Sequence, residues 1–72
     1  MRYVIIIEQG PTSYGAYVPD LPGCVAVGET ADEVRDLIHE AILLHVESLR
    51  ADGLAVPPPT SQSEYIEIPL AA

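Results

Sequence analysis

Alternating and continuous apolar runs divide the chain into three short strands, one long helix and a fourth strand. Residues 2–8 include five consecutive apolar side chains and are apolar on both faces. Such a run is typical of a central strand that is covered on both sides. Residues 14–18 and 24–28 predict two further strands, separated by a rigid loop at 19–23 whose two prolines cannot donate to a sheet ladder.

The longest amphipathic segment predicts a helix over residues 31–51. Thr30 is expected to cap its start, with Glu33 three residues later completing a capping box. Gly53 is expected just beyond its end, in the left-handed conformation that glycine adopts readily. The apolar stripe expected to face the core consists of Val34, Ile38, Ala41, His45 and Leu49.

The last third of the chain predicts one more strand. Three consecutive prolines at 57–59 indicate a stiff extended segment, and residues 64–68 read as a strand that Pro69 stops. A meander of strands 1 to 3, then a right-handed crossover, places strand 4 beside strand 1. The expected fold class is α+β with β-β-β-α-β order: a four-stranded mixed sheet, order 3-2-1-4, with one helix on one face. A second copy is expected to cover the open face.

Composition narrows the class of protein. A chain of 72 residues predicts a single domain over 1–72. Three Lys plus Arg against 11 Asp plus Glu give a net charge of −8, which argues against direct nucleic-acid binding and against an anionic membrane surface. The charge suits a basic protein partner, although acidity also serves solubility. The single cysteine and the shortness of the apolar runs predict a cytoplasmic protein.

No group of residues has the spacing that catalysis or metal binding needs. His39 and His45 lie about 240° apart around the predicted helix, so they cannot share a metal. Cys24 has no neighbouring base and is expected to be a small buried strand residue. The strand carboxylates, such as Glu8 and Glu64, do not converge as a two-metal nuclease requires. We expect no enzymatic activity, no catalytic residue, no metal and no cofactor.

The most distinctive segment is residues 14–24. It is either a strand followed by a Pro-Gly turn or a rigid, aromatic-rimmed surface for a protein partner, and the residues alone leave both readings open. The predicted partner-binding surface joins this segment to the outer face of the helix. Its residues are Tyr14, Tyr17, Asp20, Leu21, Leu43 and Glu47.

The segment Tyr17-Val18-Pro19-Asp20-Leu21-Pro22-Gly23-Cys24 resembles the PDLPGC signature of the HicB-like antitoxin family. The strand-to-helix junction at 28–33, the helix end at 45–49 and the proline run resemble the same family. The resemblance implies a partial ribonuclease-H-like fold without nuclease activity. It also implies a cytoplasmic antitoxin that neutralises a small basic HicA-type toxin, which cleaves mRNA, by covering its catalytic histidine and RNA surface. The negative charge suits such a partner.

Two expectations concern assembly and scope. The sequence ends four residues after the predicted last strand, so the family's C-terminal DNA-binding domain and its operator binding are not expected here. A domain this small buries only about 60% of its unfolded surface, which favours a homodimer or higher homo-oligomer. The alternative function is a stand-alone oligomeric protein-interaction module with no toxin partner.

Overall fold

The computed structural model describes residues 1–70, in which a helix packs on one face of an antiparallel sheet. The last two residues of the predicted domain lie outside that range. The elements are β1 (Ile6–Gln9), β2 (Tyr14–Tyr17), β3 (Val25–Gly28) and α1 (Ala31–Ala51). The three strands form one sheet of order β1-β2-β3, in which each neighbouring pair is antiparallel. The predicted meander is confirmed.

The register of the sheet separates an apolar open face from the face that packs on the helix. Ile6 lies opposite Tyr17, and Tyr17 lies opposite Val25, so these three side chains form a row on the open face. The adjacent row lies on the helix side of the sheet and consists of Ile7, Ala16 and Ala26.

The helix has the bounds and caps that the sequence predicts. The Thr30 side chain accepts a hydrogen bond from the Glu33 amide at 3.0 Å. At the other end Gly53 has φ +69°, and the Leu54 amide donates to the Leu49 carbonyl at 2.8 Å. This is a Schellman motif, in which the left-handed glycine lets the chain turn back and satisfy the last carbonyls.

The core lies between the helix, strand β2 and the loop that joins β2 to β3. The helix packs mainly on β3 and β2 and contacts β1 least. The helix residues Val34 and Ile38 are fully buried, as the apolar stripe predicts. The remaining buried side chains come from β2 and the loop: Ala16, Val18, Leu21 and Cys24.

The predicted four-stranded, partial ribonuclease-H-like sheet of order 3-2-1-4 is wrong, because residues 64–68 form no strand in this structure. Tyr65 and Ile66 are 104% and 80% exposed. Strand β1 is consequently an edge strand and not a central one. Alternation and β-branched side chains favour extended backbone, but only a hydrogen-bonding neighbour makes that backbone a strand.

Strand β1 is also shorter than the predicted 2–8. Its partner β2 ends at Tyr17, which lies opposite Ile6. Beyond that point the Val18 amide donates to the Cys24 carbonyl at 3.3 Å, and Pro19 has no amide hydrogen to donate. The residues before Ile6 therefore have no ladder to join on the side of β2.

The C-terminal part of the described chain extends away from the domain. The radius of gyration is 14.7 Å, and the longest dimension is 55 Å. A compact chain of this length has a radius of gyration of about 11 Å. The excess matches the exposure of residues 64–70, which we call the extended segment. In the described part of the chain, no helix has the length and apolar character needed to cross a membrane.

Candidate functional site

The loop that carries the PDLPGC signature is tightly built and closes the core. The Leu21 amide donates to the Val18 carbonyl at 3.1 Å, and the Cys24 amide donates to the Leu21 carbonyl at 3.1 Å. Gly23 has φ +83°, a conformation that strongly favours glycine. These bonds turn the Leu21 side chain inward until none of it is exposed. The loop therefore has a clear structural role.

Asp20, beside Leu21, holds a distant part of the chain. One carboxylate oxygen, Oδ2, accepts the backbone amides of Thr60 and Ser61, each at 3.0 Å. The other, Oδ1, accepts the hydroxyls of the same two residues at 3.2 and 2.8 Å. The Ser61 amide and hydroxyl, with those of Thr60, hold the pKa of the Asp20 carboxyl below its ordinary value of 3.8. We call this arrangement the Asp20 anchor.

A second bond holds the same stretch of chain against the N-terminal residues. The Tyr3 hydroxyl donates to the Pro57 carbonyl at 2.5 Å. Sequence reasoning did not identify Thr60, Ser61 or Tyr3 as partners in this attachment. A usable signal was present: a stiff proline run is followed directly by two small hydroxyl residues, which bond readily to an exposed carboxylate.

Tyr17 belongs to the open sheet face, which we define as Ile6, Gly15, Tyr17, Val25 and Val27. Val25 and Val27 are 63% and 68% exposed, and Tyr17 is 40% exposed. Gly15 leaves the middle of this face without a side chain. The face is apolar, with the exposed carboxylate of Glu8 at its margin.

The outer helix face is defined by Asp36, Glu40, Leu43, Leu44 and Glu47. It lies opposite the buried stripe of α1, and one margin of it borders shallow depressions beside the N-terminal residues. Leu43 and Leu44 are 58% and 66% exposed, and the three carboxylates around them are exposed as well. Two apolar side chains within an acidic surround have the chemistry expected for contact with a basic protein.

The six residues predicted to bind a partner do not form one surface. Tyr17 lies on the open sheet face, whereas Leu43 and Glu47 lie on the outer helix face, across the domain. Tyr14 is half-buried against the core on the helix side of the sheet. Asp20 and Leu21 serve the anchor and the core, as described above. Partner binding at these positions stays a prediction, now divided between two faces.

Cys24 is buried, and this burial raises the pKa of its thiol. The thiol is therefore neutral at physiological pH and poorly suited to nucleophilic chemistry. Within residues 1–70, no three His, Cys, Asp or Glu side chains are grouped so that they could hold a metal ion.

A family model described as "HicB_like antitoxin of bacterial toxin-antitoxin system" matches residues 3–70. A UPF0150 protein of Helicobacter pylori is 44% identical over 50 residues, which are 69% of each chain. An uncharacterised 14.9 kDa protein of Haemophilus phage HP1 is 36% identical over 69 residues. That match covers 96% of this chain and 52% of the phage protein.

Two proteins whose names refer to toxin–antitoxin systems are also similar to this chain. Antitoxin HicB 2 of Photorhabdus laumondii is 26% identical over 70 residues, which are 96% of this chain and 50% of the antitoxin. The chain thus spans about half the length of this antitoxin and of the phage protein. A chain in the solved HicA3 and HicB3 toxin–antitoxin complex superposes with a TM-score of 0.70 at 32% identity. The superposition covers 82% of this chain and 70% of that one. The chain belongs to the HicB-like antitoxin family.

Proposed function

We propose that this chain is an antitoxin that binds and neutralises a small, basic HicA-type toxin that cleaves mRNA. The observation that carries the proposal is the likeness, in sequence and in fold, to a chain solved within the HicA3 and HicB3 complex. The proposed action is direct protein binding in the cytoplasm. It involves no catalysis by this chain and no direct contact with nucleic acid.

The charge distribution favours the outer helix face as the contact with the toxin. The chain has a net charge of −8, and Asp36, Glu40 and Glu47 all lie on this face. A basic protein that binds RNA has positive charge where the RNA backbone lies. An acidic face opposite that charge accelerates encounter and sets orientation, while Leu43 and Leu44 supply apolar contacts that exclude water.

Binding at this face would neutralise the toxin by steric exclusion of its mRNA substrate. An antitoxin that covers the basic surface of the toxin competes with mRNA for the same positive charges. The catalytic histidine of a HicA-type toxin is then out of reach of its substrate. Inhibition of this kind needs only a stable complex, and the rigid helix of this chain, which is well anchored in the core by Val34 and Ile38, supplies a preorganised surface.

The test compares two charge reversals on opposite sides of the domain. Glu47→Arg changes the outer helix face, and Glu8→Arg makes the same change of charge at the margin of the open sheet face. Both residues are exposed, so both variants are expected to fold, which circular dichroism checks. With a purified HicA-type toxin from the same genome, we expect Glu47→Arg to weaken binding and inhibition of RNA cleavage by about tenfold or more.

Glu8→Arg is expected to inhibit RNA cleavage like the unaltered chain. Equal loss in both variants, or loss in Glu8→Arg alone, would exclude the outer helix face as the contact. If the unaltered chain binds no such toxin, the antitoxin proposal fails. The apolar open sheet face would then favour the alternative, a stand-alone oligomeric interaction module.

A further inference from the structure

We propose that toxin binding extends from the outer helix face into a groove between residues 1–5 and α1, and that this groove receives an apolar side chain of the toxin. The occupant is one aliphatic or aromatic side chain on an otherwise basic surface. Residues 1–5 are absent from the partner-binding surface that the sequence predicts. The groove adds them to the toxin contact, an inference that rests on the proposed function.

The groove exists because the helix leaves one flank uncovered. Helix α1 packs mainly on β3 and β2 and contacts β1 least. Residues 1–5, which precede β1, lie beside the open flank, and two adjoining depressions of about 440 and 460 Å³ form there. Both depressions are lined by Met1, Tyr3, Ile42 and Leu43, so they form one continuous groove. Depressions of this size are in the range of protein pockets that enclose small apolar groups.

The floor of the groove belongs to the core, whereas its rim is exposed. Tyr3, Ile42 and Val46 are half-buried and pack against the buried core. At the rim, Met1 and Leu43 are 76% and 58% exposed. A side chain inserted between them would contact apolar atoms on the floor and at the rim. Well-packed pockets of this kind, from which water is excluded, hold the side chains that contribute most to protein–protein affinity.

The N-terminal wall of the groove is held in place by a distant part of the chain. The Tyr3 hydroxyl donates to the Pro57 carbonyl, and the three prolines that begin there form a stiff segment. Beyond them, the Asp20 anchor fixes Thr60 and Ser61. The Tyr3 ring is therefore tied at its hydroxyl to a segment that is itself attached to the domain. A preorganised wall loses little conformational freedom when a partner binds, which favours affinity.

The groove is continuous with the outer helix face. Leu43 belongs to both, and the exposed carboxylates of Asp36 and Glu47 border one depression each. A protein that covers the outer helix face therefore also covers the mouth of the groove. An apolar contact that is surrounded by polar and charged residues is the usual arrangement of a protein–protein interface.

Charge favours a basic occupant over a second copy of this chain. Arg35 also lines the groove, but its guanidinium pairs with the Asp32 carboxylate at 2.7 Å, so its charge is offset. In the described part of the chain, Asp36 and Glu47 form no ion pair and keep their negative charge for a partner. Arg50 is a single positive charge at the last turn of the helix. A second copy, with a net charge of −8, would be repelled as a whole.

The groove and the outer helix face predict different kinetic effects. Exposed carboxylates act at long range and raise the association rate constant, whereas an inserted apolar side chain acts only after contact and slows dissociation. A change confined to the groove is therefore expected to alter the dissociation rate constant and to leave the salt dependence of association unchanged.

The test fills the groove with a larger side chain of this chain. Val46→Phe makes this change in the groove, and Val25→Phe makes the same change on the exposed open sheet face. Surface plasmon resonance with the HicA-type toxin of the same genome measures both variants, and circular dichroism checks that they fold. We expect Val46→Phe to raise the dissociation rate constant by about tenfold or more. Val25→Phe is expected to bind like the unaltered chain.

A second measurement needs no substitution, so it also decides the matter if Val46→Phe fails to fold. In a complex of the ¹³C-labelled chain with unlabelled toxin, NMR detects which methyl groups of this chain lie against the toxin. We expect nuclear Overhauser contacts from the toxin to the methyl groups of Ile42 and Val46. None is expected to the methyl groups of Val25 and Val27.

The outcomes separate this inference from the antitoxin function. Toxin binding without contacts to the groove methyl groups, or with an unchanged dissociation rate constant in a folded Val46→Phe variant, would exclude the groove and leave the antitoxin function intact. Contacts at the same methyl groups between labelled and unlabelled copies of the free chain would assign the groove to a second copy and overturn the inference. If the chain binds no such toxin, the proposed function and the groove contact both fail.

Discussion

Two neighbouring residues in the loop with the PDLPGC signature, Asp20 and Leu21, have different structural roles. Leu21 is fully buried and closes the core, whereas the carboxylate of Asp20 binds two amides and two hydroxyls about forty positions away. Both were predicted to contact a partner because a rigid loop that carries a charge and an apolar side chain resembles a binding surface. The partners of Asp20 are distant in sequence, and no local pattern reveals them.

The Asp20 anchor predicts a pH-dependent attachment. Its hydrogen bonds hold the folded-state pKa below the ordinary value of 3.8, so the anchor is complete above pH 3.8 and is lost as the pH falls through that lower pKa. We expect the amide signals of Thr60 and Ser61 to shift together in this range in ¹⁵N–¹H NMR spectra.

Asp20→Asn removes the charge that these amides bind and is expected to abolish that transition. Asp36→Asn, on the outer helix face, is the matched control and is expected to leave it unchanged. Signals that move with the same midpoint in both variants would show that another group controls the attachment.

At the scale of elements, the helix and its two ends are local structures. Its capping residue, its apolar stripe and its terminal glycine all lie within one stretch of chain. The end of β3 also approaches the start of the helix closely. A Cβ on Gly28 would lie 3.1 Å from the Val34 amide nitrogen, so a side chain at this position would require a shift of a few tenths of an ångström.

The cap predicts a measurable share of stability. Thr30→Ala removes the acceptor of the Glu33 amide and is expected to lower the free energy of unfolding by about 1 kcal/mol. Thr12→Ala, in the exposed turn between β1 and β2, is the control and is expected to change it by less than about 0.5 kcal/mol. Chemical denaturation measures both values. Equal effects would mean that the cap adds nothing beyond an ordinary surface hydroxyl.

At the scale of the whole molecule, charge and apolar surface are distributed unevenly. Acidic residues dominate the outer helix face, whereas the open sheet face is apolar. If a basic toxin binds the outer helix face, encounter is electrostatically steered. We expect the association rate constant to fall by about tenfold or more between low salt and 0.5 M NaCl, with a smaller change in dissociation, measured by stopped-flow fluorescence. A rate independent of salt would contradict binding through this face.

The sequence alone determined the helix from Thr30 to Gly53, the strand meander and the family resemblance. The helix and the strand meander depend on hydrogen bonds and turns between residues close along the chain, and the family resemblance depends on a short motif. The tertiary structure decided that residues 64–68 do not join the sheet, that β1 is an edge, and that Tyr17 and Leu43 lie on different faces. The reason is physical: a helix satisfies its own backbone, whereas a strand needs a partner whose position depends on the packing of the whole molecule.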